Sequence, residues 1–154
     1  MIYEILRYAH VLGATVLLGT GAGIAFFMVR SHASGDARLI AHVAGIVVLA
    51  DLIFTATAAV LQPITGALLV WHLGYGFGDL WIMASIGLYL FVGLFWLPVV
   101  WIQIQLRQLA QTAAGSNTAL PPRYHKLYRI WFAAGFPAFL AMLAIFWLML
   151  TKPV

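Results

Sequence analysis

Long apolar stretches separated by short polar breaks dominate the pattern along the chain. A membrane-spanning helix needs about 20 apolar residues, and four stretches reach that length. They are residues 8–29, 39–73, 80–104 and 130–150. With their flanks, the predicted helices cover residues 4–29, 39–73, 80–112 and 125–151 of a single transmembrane domain, residues 1–154. The pattern predicts an all-α membrane protein, a four-transmembrane-helix bundle.

The second stretch is too long for one perpendicular crossing of a bilayer. Its length of about 35 residues corresponds to about 50 Å of helix, against a hydrocarbon core of about 30 Å. Pro63 lies inside it, and a proline kinks a helix because it removes a hydrogen bond. We expect one tilted helix kinked at Pro63; the alternative is a re-entrant break at residues 63–66.

The placement of arginine and lysine predicts the orientation in the membrane. The first and third polar breaks carry Arg30, Arg38, Arg107, Arg123, Lys126 and Arg129. Only Arg7 and Lys152 lie near the termini. Since positive residues stay on the cytoplasmic side, both termini are expected outside, which is periplasmic in a Gram-negative bacterium. The first stretch is too long for a signal peptide. A multi-pass protein of the bacterial inner (plasma) membrane is predicted.

Composition excludes several classes of protein. Hydrophobic residues make up 64% of the chain and charged residues 8%, with a mean hydropathy of +1.01. A soluble domain carries about 25% charged residues, so the lipid bilayer is the expected partner. The absence of cysteine excludes disulfides, thiolate metal sites and iron–sulfur clusters. No basic run indicates nucleic-acid binding.

Three side chains near the outer ends of the predicted helices could ligate a metal. His10, His72 and Met83 come from three different helices and fall at one level of the outer leaflet. Histidine and methionine are common axial ligands of haem iron, and helical bundles build cofactor sites from inward-facing side chains. We therefore predict haem b with His10 as one iron ligand and Met83 or His72 as the other. Arg7, one turn before His10, would bind the haem propionates.

The remaining histidines have a simpler interpretation. His32, His42 and His125 lie in or beside the basic breaks, where a solvated interfacial histidine is expected.

Asp51 is the acidic residue that lies well inside a predicted span. An unpaired carboxylate at this depth is costly unless it stays protonated, so a partner within the bundle is expected. The favoured partner is Arg129, with Arg30 and Gln103 as alternatives. Gln62 and Thr65 add polarity to the same interior, or bond to backbone freed by Pro63. The residues leave open whether Asp51 is a structural group or a proton relay.

Several runs of residues resemble a bacterial family of predicted integral membrane proteins of unknown function. These runs are residues 50–55 (ADLIFT), 62–66 (QPITG), 96–103 (WLPVVWIQ), 146–149 (FWLM) and Lys152-Pro153. The resemblance covers nearly the whole chain and implies a four-helix fold without implying an activity.

A more distant similarity is to the haem-containing, four-helix membrane protoporphyrinogen oxidases of bacteria. It rests on His10-Val11-Leu12-Gly13 in helix 1 and on residues 63–66 in helix 2. The similarity implies that His10 is a haem ligand. Met83 stands where those enzymes have a functional lysine, and residues 134–137 lack their arginine and Asn-Glu pair. Haem binding therefore follows from the similarity more directly than porphyrinogen oxidation does.

Three hypotheses of function follow. The first is a b-type haem protein for electron transfer or a membrane-linked oxidation, a haem-dependent oxidoreductase with a membrane redox partner. The second is a non-catalytic membrane subunit or assembly factor. The third is a small proton-coupled transporter with Asp51 as proton carrier, which requires a homo-oligomer because four helices rarely enclose a path.

Overall fold

The computed structural model describes residues 1–153, and four long helices account for most of them. The helices are α1 (Ile2–Ala33), α2 (Ala37–Leu73), α3 (Leu80–Ser116) and α4 (Pro122–Thr151). Each is long and apolar enough to cross a membrane. The predicted all-α, four-helix architecture is confirmed, and the helices run up to four residues beyond the predicted bounds because their polar ends stay helical.

Helix α2 is continuous from Ala37 to Leu73, so the re-entrant alternative at residues 63–66 is wrong. Pro63 lies inside its second α-helical part, Ala56–Leu73. The irregularity in α2 lies earlier, where Asp51–Thr55 form one turn of π-helix. There the N–H of Ala56 bonds to the carbonyl oxygen of Asp51, five residues back. Such π-turns occur mostly as single insertions in α-helices, often at functional sites.

Short turns with defined caps connect the helices. The Asp36 carboxylate caps α2 and accepts a hydrogen bond from the N–H of Arg38 at 2.8 Å. Gly74 and Asn117 end α2 and α3 in the left-handed conformation, with φ of 71° and 52°. Pro122 occupies the first turn of α4. Gly74 lies at the predicted end of α2, whereas the other three caps extend α2, α3 and α4 by two to four residues beyond the predicted bounds.

The helices pack unevenly. Helix α1 lies along α2, the first part of α2 also lies on α3, and α3 lies along α4. Helices α1 and α4 meet at few points. The main core lies toward the end that carries the basic breaks, called here the basic end. It is formed by Ile24, Met28, Ile40, Ala44, Val47, Ile102, Leu106, Ala110, Tyr124 and Trp131. The bundle is therefore tightest at the basic end and looser between α1 and α4.

Candidate functional site: a cavity at Asp51

A cavity of about 400 Å³ lies between the four helices, above the main core. Helix α1 contributes residues between Leu17 and Ala25, and α4 contributes residues between Trp131 and Met142. Polar groups come from the other two helices, which contribute Asp51, Thr55, Trp96 and Gln103. The remaining walls are apolar or aromatic. The cavity exists because α1 and α4 are held apart at this level.

Three of the four helices are irregular beside the cavity. The π-turn of α2 begins at Asp51 and ends at Thr55, and both of these residues line the cavity. Pro98 interrupts the hydrogen bonding of α3 next to the lining residue Val99, and Pro137 does so in α4 next to Ala138. Each irregularity shifts the direction of the side chains that follow it. The space is thus formed by local departures from regular α-helix.

The carboxylate of Asp51 is buried, with only 4% of the residue exposed. The Thr55 hydroxyl, the Trp96 indole N–H and the Gln103 amide approach it. The Thr55 hydroxyl, the Trp96 N–H and the Gln103 Oε1 are buried without a hydrogen-bond partner among residues 1–153, and so is the N–H of Trp131 on the cavity wall. Buried polar groups are nearly always bonded, so an unsatisfied cluster of this kind needs an explanation.

The predicted ion pair between Asp51 and Arg129 is wrong. Arg129 is exposed, as is the alternative partner Arg30, and no arginine or lysine in the described chain forms a salt bridge with Asp51. The inward positions at this turn of α4 belong to Tyr128, which stacks on His32, and to buried Trp131. The remaining alternative, Gln103, is only 1% exposed and lies beside the carboxylate. Asp51 therefore has neutral neighbours in place of a cation.

His10 lies in a second polar cluster, between α1 and α2. Its Nδ1 is 2.9 Å from the Thr65 hydroxyl, which in turn donates to the carbonyl oxygen of Leu61 at 2.8 Å. The tautomer of the imidazole decides which of these two atoms, Nδ1 or the hydroxyl oxygen, is the donor in the contact. The ring packs on Gly66, where an added Cβ would lie 3.2 Å from the ring carbon Cε1. Gly66 thus makes room for the imidazole.

Gln62 of α2 adds hydrogen bonds to the backbone of α1 at the same helix contact. With its amide oriented to satisfy its neighbours, Nε2 donates to the carbonyl oxygen of His10 at 2.9 Å. Its Oε1 accepts from the N–H of Ala14 at 3.1 Å. A Cβ on Gly13 would lie 2.9 Å from the terminal amide group of Gln62, so a larger residue there would push this amide aside. Gln62 and Thr65 therefore join α1 to α2, and the predicted inward polarity is accounted for by this contact.

The other predicted haem-site residues lie elsewhere. His72 is exposed and stacks on Tyr3, with ring centroids 6.3 Å apart. It follows Thr65 by seven residues, which places it about 10 Å farther along α2. Met83 is 58% exposed because its neighbours Trp81 and Ile82 take the inward positions against Val70. Arg7 is exposed and bonds to Tyr3 at 3.5 Å.

These positions do not fit a haem held by two axial ligands. Two such ligands must approach one iron atom from opposite sides, but His72 and Met83 are exposed, and His72 stacks on Tyr3. The imidazole of His10 also lies in a close helix contact and not in a cavity. In residues 1–153 no group of three or more His, Asp or Glu side chains could hold a metal ion. Haem binding stays a prediction from the sequence.

The histidines at the basic end differ among themselves. His42 and His125 are exposed, as expected for interfacial side chains. His32 is half-buried: its ring lies 3.5 Å from that of Tyr128, centroid to centroid, and its Nδ1 is 3.3 Å from the Tyr124 hydroxyl. His32 therefore packs α1 against α4 at the basic end.

Sequence reasoning missed most of the cavity. It singled out Asp51 and Gln103 but gave no role to Thr55, Trp96 or Trp131. A tryptophan in a transmembrane helix is ordinary, and no local signal distinguished these two from the outward-facing Trp101 and Trp147. The pairing of Asp51 and Thr55, four residues apart on one helix, was the available clue.

Comparisons with known proteins give one match. The model of a family described as predicted integral membrane protein (DUF2269) matches residues 4–153. Searches of curated proteins and of solved structures found no match in either case. The distant similarity to protoporphyrinogen oxidases gains no support from them and stays a prediction. This multi-pass chain belongs to the DUF2269 family of predicted integral membrane proteins.

Proposed function

We propose that this protein binds a lipid-soluble small molecule in the cavity at Asp51, as a membrane-embedded binding or carrier protein. One observation carries the proposal: a buried carboxylate and several unsatisfied donors converge on a space with otherwise apolar walls. Small-molecule sites are largely apolar, with a few polar groups that orient the ligand. A purely structural polar cluster would instead be closed by its own hydrogen bonds.

The ligand enters from the bilayer, between α1 and α4. Small residues form this part of the rim: Gly21, Ala22 and Ala25 on α1 are exposed, as is Gly135 on α4. They lie in the apolar middle of helices that span the membrane. Since α1 and α4 touch at few points, a ligand that passes between them above the basic end would disrupt few contacts.

This proposal is closest to two of the hypotheses drawn from the sequence. A carrier that uses Asp51 corresponds to the transporter, and a protein that only binds its ligand corresponds to the non-catalytic subunit. Electron transfer through haem has less support, because the second iron ligand is missing from the surroundings of His10.

Filling the cavity tests the proposal. The probe is N-phenyl-1-naphthylamine, a neutral lipophilic fluorophore that accepts excitation energy from tryptophan, and Trp96 and Trp131 line the cavity. In detergent solution we expect saturable energy transfer in the natural protein and none in Ala138→Phe, whose ring would occupy the space. The matched control is Ala133→Phe on the exposed side of α4. Equal binding by the two variants would contradict the proposal.

A further inference from the structure

We propose that the ligand of the Asp51 cavity is a lipophilic cation whose charge pairs with the carboxylate. This inference rests on the proposed function and specifies the chemical class of the ligand.

The charge of the cavity is the first argument. Asp51 is the only ionisable side chain among the described residues that line it. Neutral donors such as Thr55 and Trp96 approach the carboxylate but cannot cancel its charge. A buried charge is ordinarily paired with an opposite charge. With no internal partner for Asp51, a positive ligand would complete the pair.

The cationic side chains of the protein are directed elsewhere. Arg107 lies one turn beyond Gln103 on α3 and does not line the cavity. Its Nε packs near Gly45 of α2, where an added Cβ would lie 3.6 Å away. Arg129 of α4 and Arg30 of α1 are exposed. The residues that α1 and α4 contribute to the cavity are apolar or aromatic, so no positive group from these helices competes for Asp51.

The aromatic walls are the second argument. Trp96, Trp131, Phe132, Phe136 and Phe139 surround the space. The faces of aromatic rings carry partial negative charge and attract cations, most strongly when water is excluded. One carboxylate and several aromatic faces therefore favour a cation with an apolar body. The same arrangement repels an anion of equal size.

The test compares two ions of nearly the same shape and opposite charge, tetraphenylphosphonium and tetraphenylborate. Equilibrium dialysis of the detergent-solubilised chain, corrected with protein-free micelles, measures both. We expect the natural protein and Ala133→Phe to bind the cation at least about tenfold more tightly than the anion. Asp51→Asn should lose this preference and still bind the neutral naphthylamine. Ala138→Phe should bind none of the three probes in the cavity.

The outcomes separate this inference from the proposed function. If the naphthylamine binds in the cavity but the cation binds no better than the anion, the ligand is not a cation and the proposed function stands. An unchanged cation preference in Asp51→Asn also overturns the inference. If no probe distinguishes Ala138→Phe from Ala133→Phe, the proposed function fails as well. The comparison of the two ions on the natural protein decides the matter even where Asp51→Asn does not fold.

Discussion

The hydroxyl group of Tyr89 in α3 donates a hydrogen bond to the main-chain carbonyl oxygen of Ala59 in α2. Pro63 follows Ala59 by four residues and has no N–H, so α2 cannot satisfy this carbonyl itself. In the apolar part of a membrane an unsatisfied carbonyl is costly. A neighbouring helix therefore supplies the missing bond, and α2 passes through Pro63 without a break.

Replacement of Tyr89 tests this relationship. Tyr89→Phe should lower the free energy of unfolding by about 0.5–2 kcal/mol, because the carbonyl loses its donor. In a Pro63→Ala background the new N–H of residue 63 can bond to Ala59, so the same replacement should cost less. Reversible unfolding in mixed micelles measures all four proteins. An equal loss in both backgrounds would show that the hydroxyl acts in some other way.

Among the glycines of α1, Gly13 should be the one whose replacement by alanine lowers the stability of the protein. In Gly13→Ala the new Cβ would lie 2.9 Å from the terminal amide group of Gln62 and push the amide off the backbone of α1. We expect a loss of about 1–2 kcal/mol in the free energy of unfolding. Gly19→Ala is the matched control, since no atom lies within 4 Å of its added Cβ and alanine is the better helix former. Adding Gln62→Ala should remove the effect of Gly13→Ala; a persistent effect would rule out this contact as its cause.

Asp51 variants should differ by their capacity to accept hydrogen bonds. Asp51→Asn keeps an oxygen beside the Thr55 hydroxyl and the Trp96 indole, whereas Asp51→Leu removes the acceptor that both donors approach and places an apolar side chain against them. The leucine variant should be the less stable by about 1–3 kcal/mol. Melting temperature and yield of monodisperse protein measure this. Arg129→Gln should be as stable as the natural protein, because Arg129 is exposed. A loss of stability as large as that of Asp51→Leu would show that Arg129 does pair with Asp51.

Haem binding at His10, predicted from the sequence, has a direct spectroscopic test. If His10 ligates haem iron, protein purified from haem-supplemented cells has a Soret band that His10→Ala loses and His125→Ala keeps. Thr65→Val should also alter the band, because Thr65 orients the imidazole through Nδ1. Absence of the band in the supplemented natural protein would contradict the prediction.

The predicted orientation places both termini outside the cytoplasm. This prediction rests on the placement of arginine and lysine: six lie in the first and third polar breaks and two lie near the termini. A phosphatase reporter fused after Val154, active only outside, should be active, and a fluorescent reporter that folds only in the cytoplasm should be dark. An inactive phosphatase together with a fluorescent cytoplasmic reporter would show that the topology is the reverse of the predicted one.

The sequence did not predict which faces of the helices pack against each other. Lipid is as apolar as leucine, so a transmembrane helix need not turn its most hydrophobic face toward its neighbours. The polarity pattern therefore could not tell that Met83 faces outward while Ile82 faces inward, or that Gly13 contacts α2 while Gly19 contacts nothing. It also could not tell that His72 stacks on Tyr3 and stays apart from His10.

The sequence by itself determined the number of helices and placed their ends to within about four residues. Four apolar stretches predict four spans, since a bilayer excludes any other backbone arrangement for them, and Gly74, Asn117 and Pro122 mark helix ends by their local conformations. Tertiary structure alone decided the cavity. It depends on a π-turn at Asp51 and on the separation of α1 from α4, which bring Thr55, Trp96 and Trp131 together from three helices. None of these side chains is distinguished by its own segment of sequence, and only the packing of the helices brings them to one cavity.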